Sequence, residues 1–321
     1  MKLHFVDHAT VARLLPMSVC MDLMTDALVA LGRDHGLNPL RTIMWLPERV
    51  GALGTMPGYL ADRGELAVKV ITVFPGNDRA RFDSHQGFVL VFDAHDGHPL
   101  AVVDASAITA IRTAAVSGVA TRLLARGDAA DLALLGAGVQ AATHLEAMRV
   151  ARPIGRVRVW SCSIDSARDF AARYSVEAVE SPEAAVRGAD IVCTVTSSRE
   201  PVLEGAWLAP GTHVNVVGSS ASFAREVDTA AVVRSRVYVD RMESALAEAG
   251  DLLIPMAEGA IDASHIVGEI GEVAEGTAPG RRSVDEITMF KSLGLAVEDV
   301  AAACHVARQA VETGAGATVE M

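Results

Sequence analysis

Apolar positions along this chain change their period several times, and each change marks an element. Residues 132–135 form an unbroken apolar run, glycines follow at 136 and 138, and helical spacing then continues toward Arg149. That pattern predicts a buried strand, a tight turn and a helix. Residues 156–160 alternate like a second strand at the distance a crossover helix requires, and 189–195, 213–217 and 237–240 supply further apolar, β-branched runs. Strands separated by helical stretches predict a parallel, doubly wound sheet of the α/β class.

Upstream the pattern predicts a different unit. A short strand and a helical turn at 10–15 lead to a helix opened by Pro16 and running to about residue 33, with Val19, Leu23, Ala27 and Leu31 on one face. Short β-like runs follow at 41–46, 52–59, 66–74, 87–92 and 100–103, with Asp96-Gly97 as a turn between the last two. Residues 106–125, rich in small side chains, predict a helix leading into the parallel sheet. An amphipathic helix at 297–311, before a Gly-rich tail, is expected to return to the first domain and make it discontinuous.

Half of the 321 residues are apolar, enough for two sizeable cores. The formal net charge of −12 argues against a nucleic-acid footprint or an anionic membrane surface, so neither partner is expected. Cys20, Cys162, Cys193 and Cys304 are far apart, without C-x-x-C or histidines at metal-ligand spacing. They are expected to be reduced thiols of a cytoplasmic protein, and no metal site is expected. The N-terminus lacks an apolar signal core, and no run reaches the ~18 residues of a membrane span.

The glycine turn carries the first candidate chemistry. Gly136-Ala-Gly138-Val139-Gln140-Ala141 fits G-x-G-x-x-G/A in its strand, turn and helix context. Gly136 allows the tight turn, Gly138 lets backbone approach a pyrophosphate, and Ala141 lets the helix pack closely. The pyrophosphate would face the free N–H groups and positive end of that helix. A nucleotide-free turn, or a methyltransferase-like site for a nucleoside, has the same local pattern. Arg112 sits in the small-residue helix, where a charge must reach solvent or meet an anion. Lys69 occupies a strand position where alternation would put a hydrophobe inward, so it either meets an anion or lies on an edge in water.

Several stretches together resemble the ornithine cyclodeaminase/mu-crystallin family over nearly the whole chain. They are Ala67-Val-Lys69-Val with Phe74-Pro-Gly-Asn77, Ile108-Thr-Ala-Ile-Arg112-Thr-Ala-Ala115, the glycine turn, Gly211-Thr-His-Val-Asn215, Glu226-Val-Asp228, Gly268-Glu-Ile-Gly-Glu-Val273 and Phe290-Lys-Ser-Leu-Gly294. The resemblance implies a Rossmann-type NAD(P)-binding domain, expected at 119–299, plus an α/β substrate-binding and dimerisation domain at 1–118, to which residues 300–321 return. It implies a homodimer and redox chemistry at an amino-bearing carbon. Arg41, Lys69 and Arg112 match the positions that hold the substrate carboxylate and neighbouring groups, Asp228 matches the acid/base carboxylate, and Thr113 lies near the cofactor phosphates. Lys69 is carried with Asp228 as a catalytic candidate; Val139, Gln140, Thr196, Ser292 and Gly294 are further cofactor candidates. A guanidinium fork suits a carboxylate, so Arg112 and Arg41 make a reasonable clamp on an α-amino or α-imino acid. Read without the resemblance, Asp228 is as well explained as a helix cap.

Three departures shape the expected activity. The second strand ends at Trp160-Ser161-Cys162-Ser163, with no acid to hold a ribose 2′-hydroxyl. Ser161 and Ser163 could instead bond a 2′-phosphate, which favours NADP(H) over NAD(H). Met56 stands where cyclodeaminases carry an acid for the distal amino group of ornithine, and a thioether offers it no charge. Gly218-Ser219-Ser220 lacks the acid or amide common in the family. The expected function is therefore reduction of a small cyclic imino acid such as pyrroline-2-carboxylate, or interconversion of a small amino acid and its keto acid. An ornithine or lysine cyclodeaminase is the nearest alternative, and a nucleotide-containing binding protein the alternative of another class.

Overall fold

The computed structural model describes residues 2–74, 76–77 and 84–320, so Pro75 of the Phe74–Asn77 motif lies outside the described residues. The chain divides into two units, Met1–Arg112 with Leu295–Met321, and Thr113–Gly294. These divisions stand beside the expected boundaries at 118/119 and 299/300.

The first unit is built on an alternating, mostly antiparallel sheet. Its opening strand β1 (Lys2–Val6) leads to helices α1 (His8–Leu14) and α2 (Met17–Gly32), then to the short β2 (Gly36–Leu37) and β3 (Thr42–Trp45). A meander follows: β4 (Ala52–Leu60), β5 (Glu65–Val73), β6 (His85–Asp93) and β7 (Pro99–Asp104). The helix α3 (Ala105–Leu124) then carries the chain into the second unit. Burial on β4 and β5 largely alternates, so one face of the sheet is apolar and covered.

Covering comes from the end of the chain. Helix α11 (Ala296–Thr313) packs on β4, β5 and α2, and β16 (Ala317–Glu320) pairs antiparallel with β1. The close seat of α11 depends on Gly58 of β4: a Cβ there would lie 3.0 Å from Val300 and 3.1 Å from Ala296. The final strand is an addition to the sequence reading, which took residues 312–321 as a Gly-rich tail. Sheet order is β16-β1-β7-β6-β5-β4-β2, with β3 also pairing β4.

The second unit is a doubly wound, all-parallel sheet. Strands β8 (Asp131–Leu135), β9 (Arg156–Trp160) and β10 (Glu177–Ala178) alternate with α4 (Val139–Ala151) and α5 (Ile164–Tyr174), and α6 (Pro182–Val186) follows. The other half contains β11 (Ile191–Thr194), β12 (His213–Val216), α7 (Thr229–Val233), β13 (Ser235–Val239), α8 (Met242–Glu248), α9 (Gly250–Ala257), β14 (Ile266–Glu269), α10 (Ile270–Glu275) and β15 (Ile287–Lys291). The order β10-β9-β8-β11-β12-β15-β13-β14 reverses direction between β8 and β11. In open α/β sheets the crevice beyond the carboxyl ends of the strands at such a reversal is the ligand-binding position. The sequence segments holding β14 and β15 had not been recognised as strands, because the first has only four residues and the second is buried on both faces.

Helix α3 is long and apolar enough to cross a membrane by length and composition alone. Buried over 78% of its most apolar window, it has the environment of a core helix. All four cysteines are free thiols; only Cys162 is exposed.

Candidate active site

In the first unit, four charged side chains from three elements meet inside the protein. Lys69 lies mid-way along β5, in register with Met56 of β4 and Val89 of β6, and alternation turns it to the covered face. The anion it requires comes from α11. Asp299 Oδ2 is 2.6 Å from Lys69 Nζ, an ion pair made off the hydrogen-bond direction. Arg112 of α3 joins the pair: its Nη1 donates to Glu298 Oε2 at 2.7 Å and its Nε to Asp299 Oδ1 at 3.0 Å. None of the four side chains is more than 5% exposed, so each charge depends on the others for compensation.

The balance of burial and pairing differs among them. Burial depresses Lys69 to about 8; the Asp299 carboxylate opposes this, and the charges of Arg112 and Arg41 reinforce it. Burial alone would raise Asp299, but Arg112 and Lys69 outweigh it and hold the carboxyl below its usual range. Arg112 is likewise desolvated, yet Asp299 and Glu298 raise it above an ordinary arginine. Asp299 and Arg112 are therefore held as ions, and Lys69 is the one able to release a proton near neutral pH. Arg41, on the segment between β2 and β3, is half-buried and near enough for its charge to act on Lys69.

In the second unit, the glycine turn has the form expected of a phosphate cradle. Gly136 has φ 118°, and a Cβ on it would come 2.6 Å from the Val195 carbonyl oxygen, so the turn beside β11 requires glycine. A Cβ on Gly138 would meet nothing within 4 Å: the space an approaching pyrophosphate needs is open. Gly138 is the N-cap of α4 without a side-chain cap bond, leaving the first-turn N–H groups at Val139 and Gln140 available to an anion. The side-chain oxygens of Gln140 and Ser292 are buried without a protein partner. A dinucleotide fits this set of features.

The other cofactor candidates sit at strand ends held by acids. Thr196, just beyond β11, donates to Glu226 Oε1 through both its N–H and its hydroxyl, each at 2.7 Å, while Gly218 N–H donates to Oε2 of the same carboxylate. Glu226 thus ties the ends of β11 and β12 together. Leu293 and Gly294 N–H donate to Asp240 Oδ2, shaping the turn after β15 that contains Ser292. Thr113, in the unit's first turn of α3, is buried. Ser161 follows β9, and Ser163 caps α5 by accepting from Ser166 N–H at 3.3 Å. Away from these residues, Asp93, Asp96 and His98 converge at the exposed β6–β7 turn, where turn bonds and the His98–Asp96 pair account for them.

Asp228 is the N-cap of α7, and its Oδ1 accepts from Ala231 N–H at 2.7 Å and Gly205 N–H at 2.9 Å. One carboxylate oxygen thus holds two backbone segments, the geometry of a helix cap. Asp228→Asn is accordingly expected to leave turnover within about threefold of wild type, whereas Asp228→Ala should cost about 1 kcal/mol of stability. Abolished turnover in a stable Asn variant would contradict this.

Glu298 and Asp299 were missed at the sequence level. In sequence they look like ordinary acids in the first turn of a helix, and only their burial shows that cations must meet them.

Sheet order and glycine turn place the protein in the Rossmann-type α/β class. Within it, the chain belongs to the ornithine cyclodeaminase/mu-crystallin family, whose profile matches residues 2–314. It is 41% identical over 275 residues to the ketimine reductase mu-crystallin of Mus musculus, covering 85% of each chain. Delta(1)-pyrroline-2-carboxylate reductase of Thermococcus litoralis, solved with NADH and L-proline, superposes with a TM-score of 0.94 at 38% identity, over 98% of this chain and all of that one. An archaeal alanine dehydrogenase dimer with bound NAD gives a TM-score of 0.94 at 29% identity over the full length of both chains.

Proposed function

We propose that this protein is an NAD(P)H-dependent oxidoreductase that reduces a small cyclic imino acid of the pyrroline-2-carboxylate type to the corresponding cyclic amino acid. The observation carrying this reading is the buried Lys69–Arg112 pair beside an uncharged Met56. Arg112 spends Nε and Nη1 on its two carboxylates and keeps Nη2 for a substrate carboxylate; Lys69 and Arg41 add positive charge. Met56 is opposite Lys69 in the β4–β5 register and gives ring methylenes an apolar neighbour, while the distal ammonium of ornithine would find no counter-charge on it. The reactions named for the mouse and Thermococcus relatives agree with this substrate class.

With its pyrophosphate held at the α4 N-terminus, a reduced nicotinamide cofactor would supply the hydride. The substrate's imine nitrogen must gain a proton as its α-carbon gains that hydride. In a 2-imino acid the nitrogen and carboxylate are attached to the same carbon, so a cation gripping the carboxylate is also within reach of the nitrogen. With Asp228 occupied as a cap, Lys69 is the proposed donor. Its depressed pKa of about 8 keeps it protonated at neutral pH while lowering the cost of giving the proton up.

The test is a panel of pyrroline-2-carboxylate, piperideine-2-carboxylate, pyruvate with ammonia, and ornithine, each with NADPH and NADH, followed at the nicotinamide absorbance. Oxidation of reduced cofactor by the cyclic imines is expected. Conversion of ornithine to proline and ammonia, with the imines untouched, would overturn the reading. NADP(H) is the proposed preference, since no acid follows β9 and the Ser163 hydroxyl, although it accepts as a cap, still has its own proton to donate to a 2′-phosphate. A smaller Kd for NADH than for NADPH would reverse that choice.

The protein is also proposed to be a homodimer. Strand β3 lies on the sheet edge with Ile43, Met44 and Trp45 all exposed, and Leu37 and Leu40 nearby in sequence are exposed too. An uncovered apolar edge strand is an aggregation hazard, which a second copy would remove. Trp45→Lys with Met44→Lys is expected to convert a dimer of 33.7 kDa chains to monomer in light scattering; an unchanged mass would place the interface elsewhere.

A further inference from the structure

Lysine is scarce in this chain. Of 28 Lys and Arg residues only three are lysines, Lys2, Lys69 and Lys291, and the last two are buried against Asp299 and Asp251. Lys69 and Arg112 belong to the proposed substrate grip, but the acids that neutralise them have had no role in it. Lys69 and Arg112 face Glu298 and Asp299, and the charge of Arg41 also acts on Lys69.

Glu298 and Asp299 are neighbours on one helix turn and divide the work unequally. Glu298 Oε2 accepts from Arg112, and a guanidinium does not titrate in the working range. Asp299 bridges: Oδ1 accepts from Arg112 and Oδ2 faces the Lys69 ammonium. We propose that Asp299 is the positioning residue for the reaction, the counter-ion that fixes the direction of Lys69 and keeps it protonated until substrate arrives, while Glu298 anchors Arg112.

The surroundings leave few competitors for that role. Asp299 and Glu298 come from α11, Arg112 from α3, Arg41 from the segment before β3, and Cys20 faces the same cluster from α2. Burial pushes the Cys20 thiol far up, so it stays neutral. The flanking strands contribute Met56 and Val89 opposite Lys69, neither of them titratable. Asp299 is therefore the negative charge in direct contact with the amine, against two positive charges that disfavour the ammonium. An opposite charge at such range moves a pKa by about one to three units.

The proposal rests on the imino-acid reading only for its kinetic arm. With three lysines, full-length protein labelled at lysine 13Cε gives three titrating signals, and Lys2→Arg and Lys69→Arg assign them. In Asp299→Asn the Lys69 midpoint is expected to fall by at least one pH unit, and in Glu298→Gln by less than half a unit. The alkaline limb of kcat/KM for imine reduction should move acidward with it in Asp299→Asn alone. A folded Asp299→Asn whose Lys69 midpoint is unmoved overturns the proposal. If that variant fails to fold, charge-balanced doubles replace it: Arg112→Gln with Asp299→Asn, and Arg112→Gln with Glu298→Gln. A lower Lys69 midpoint in the first double supports the assignment, and equal midpoints overturn it. The titration needs no substrate, so failure of imine reduction and failure of the Asp299 assignment appear in separate measurements.

Discussion

Arg112→Met is expected to abolish reduction of the cyclic imine and to destabilise the protein at the same time. Two losses combine. The substrate carboxylate loses its guanidinium donor, Glu298 loses the Arg112 bond, and Asp299 loses one of its two cations. Breaking a buried ion pair by removing one member costs roughly 3–5 kcal/mol, since it leaves a desolvated charge behind. For a chain of this size that corresponds to a melting temperature lower by on the order of 10 °C. The loss in kcat/KM should be about 1000-fold or more, comparable with truncating one side of a buried charge pair. Stability and activity can be pulled apart with Arg112→Met/Glu298→Gln, which removes the stranded charge. That double variant should recover part of the melting temperature and none of the turnover. Wild-type kcat/KM in the single variant would remove Arg112 from the site.

The second large effect concerns the cofactor and is expected without any loss of stability. At Gly138 a Cβ meets nothing within 4 Å, and the backbone φ of −94° suits any residue, so Gly138→Ala should fold and melt like wild type. The added methyl would nevertheless fill the space through which a pyrophosphate reaches the α4 N-terminus. Steric insertion of that kind costs about 1–3 kcal/mol, or a roughly 10- to 100-fold rise in the Kd for NAD(P)H. Gly136→Ala is the contrasting control. There the methyl collides with the Val195 carbonyl and φ is 118°, so both folding and binding should suffer. Titration of nicotinamide fluorescence with parallel thermal melts distinguishes the two. Unaltered NAD(P)H affinity in Gly138→Ala would mean that no phosphate passes there.

Much of this was readable in one dimension because the deciding physics is local. The run at 132–135, the glycines and the helical spacing after them specify strand, turn and helix within some twenty residues, and β8 and α4 form where that pattern puts them. Alternation along residues 66–74 likewise marked Lys69 as a lysine that either meets an anion or lies on an edge in water, and it is buried against one. What sequence could not supply was the anion's identity. Asp299 lies 187 residues from Arg112, and acids in the first turn of a helix look like ordinary complements to its dipole. Asp228 shows a related limit. Its short-range signal fitted two roles, and one of the two bonds of its cap comes from Gly205, 23 residues upstream. Strand β16 was invisible because four exposed residues after a glycine-rich stretch become a strand only by pairing with β1.

The discontinuity of the first unit has a consequence for how the protein is made. Residues 113–294 are contiguous, so the whole parallel-sheet unit has been synthesised before α11 and β16 are made. Until they emerge, the β-meander has been translated yet still lacks its covering helix, and Lys69 and Arg112 have no carboxylates to meet. The first unit is thus begun before the second and completed after it, and its charged interior closes only once residues 295–321 are available.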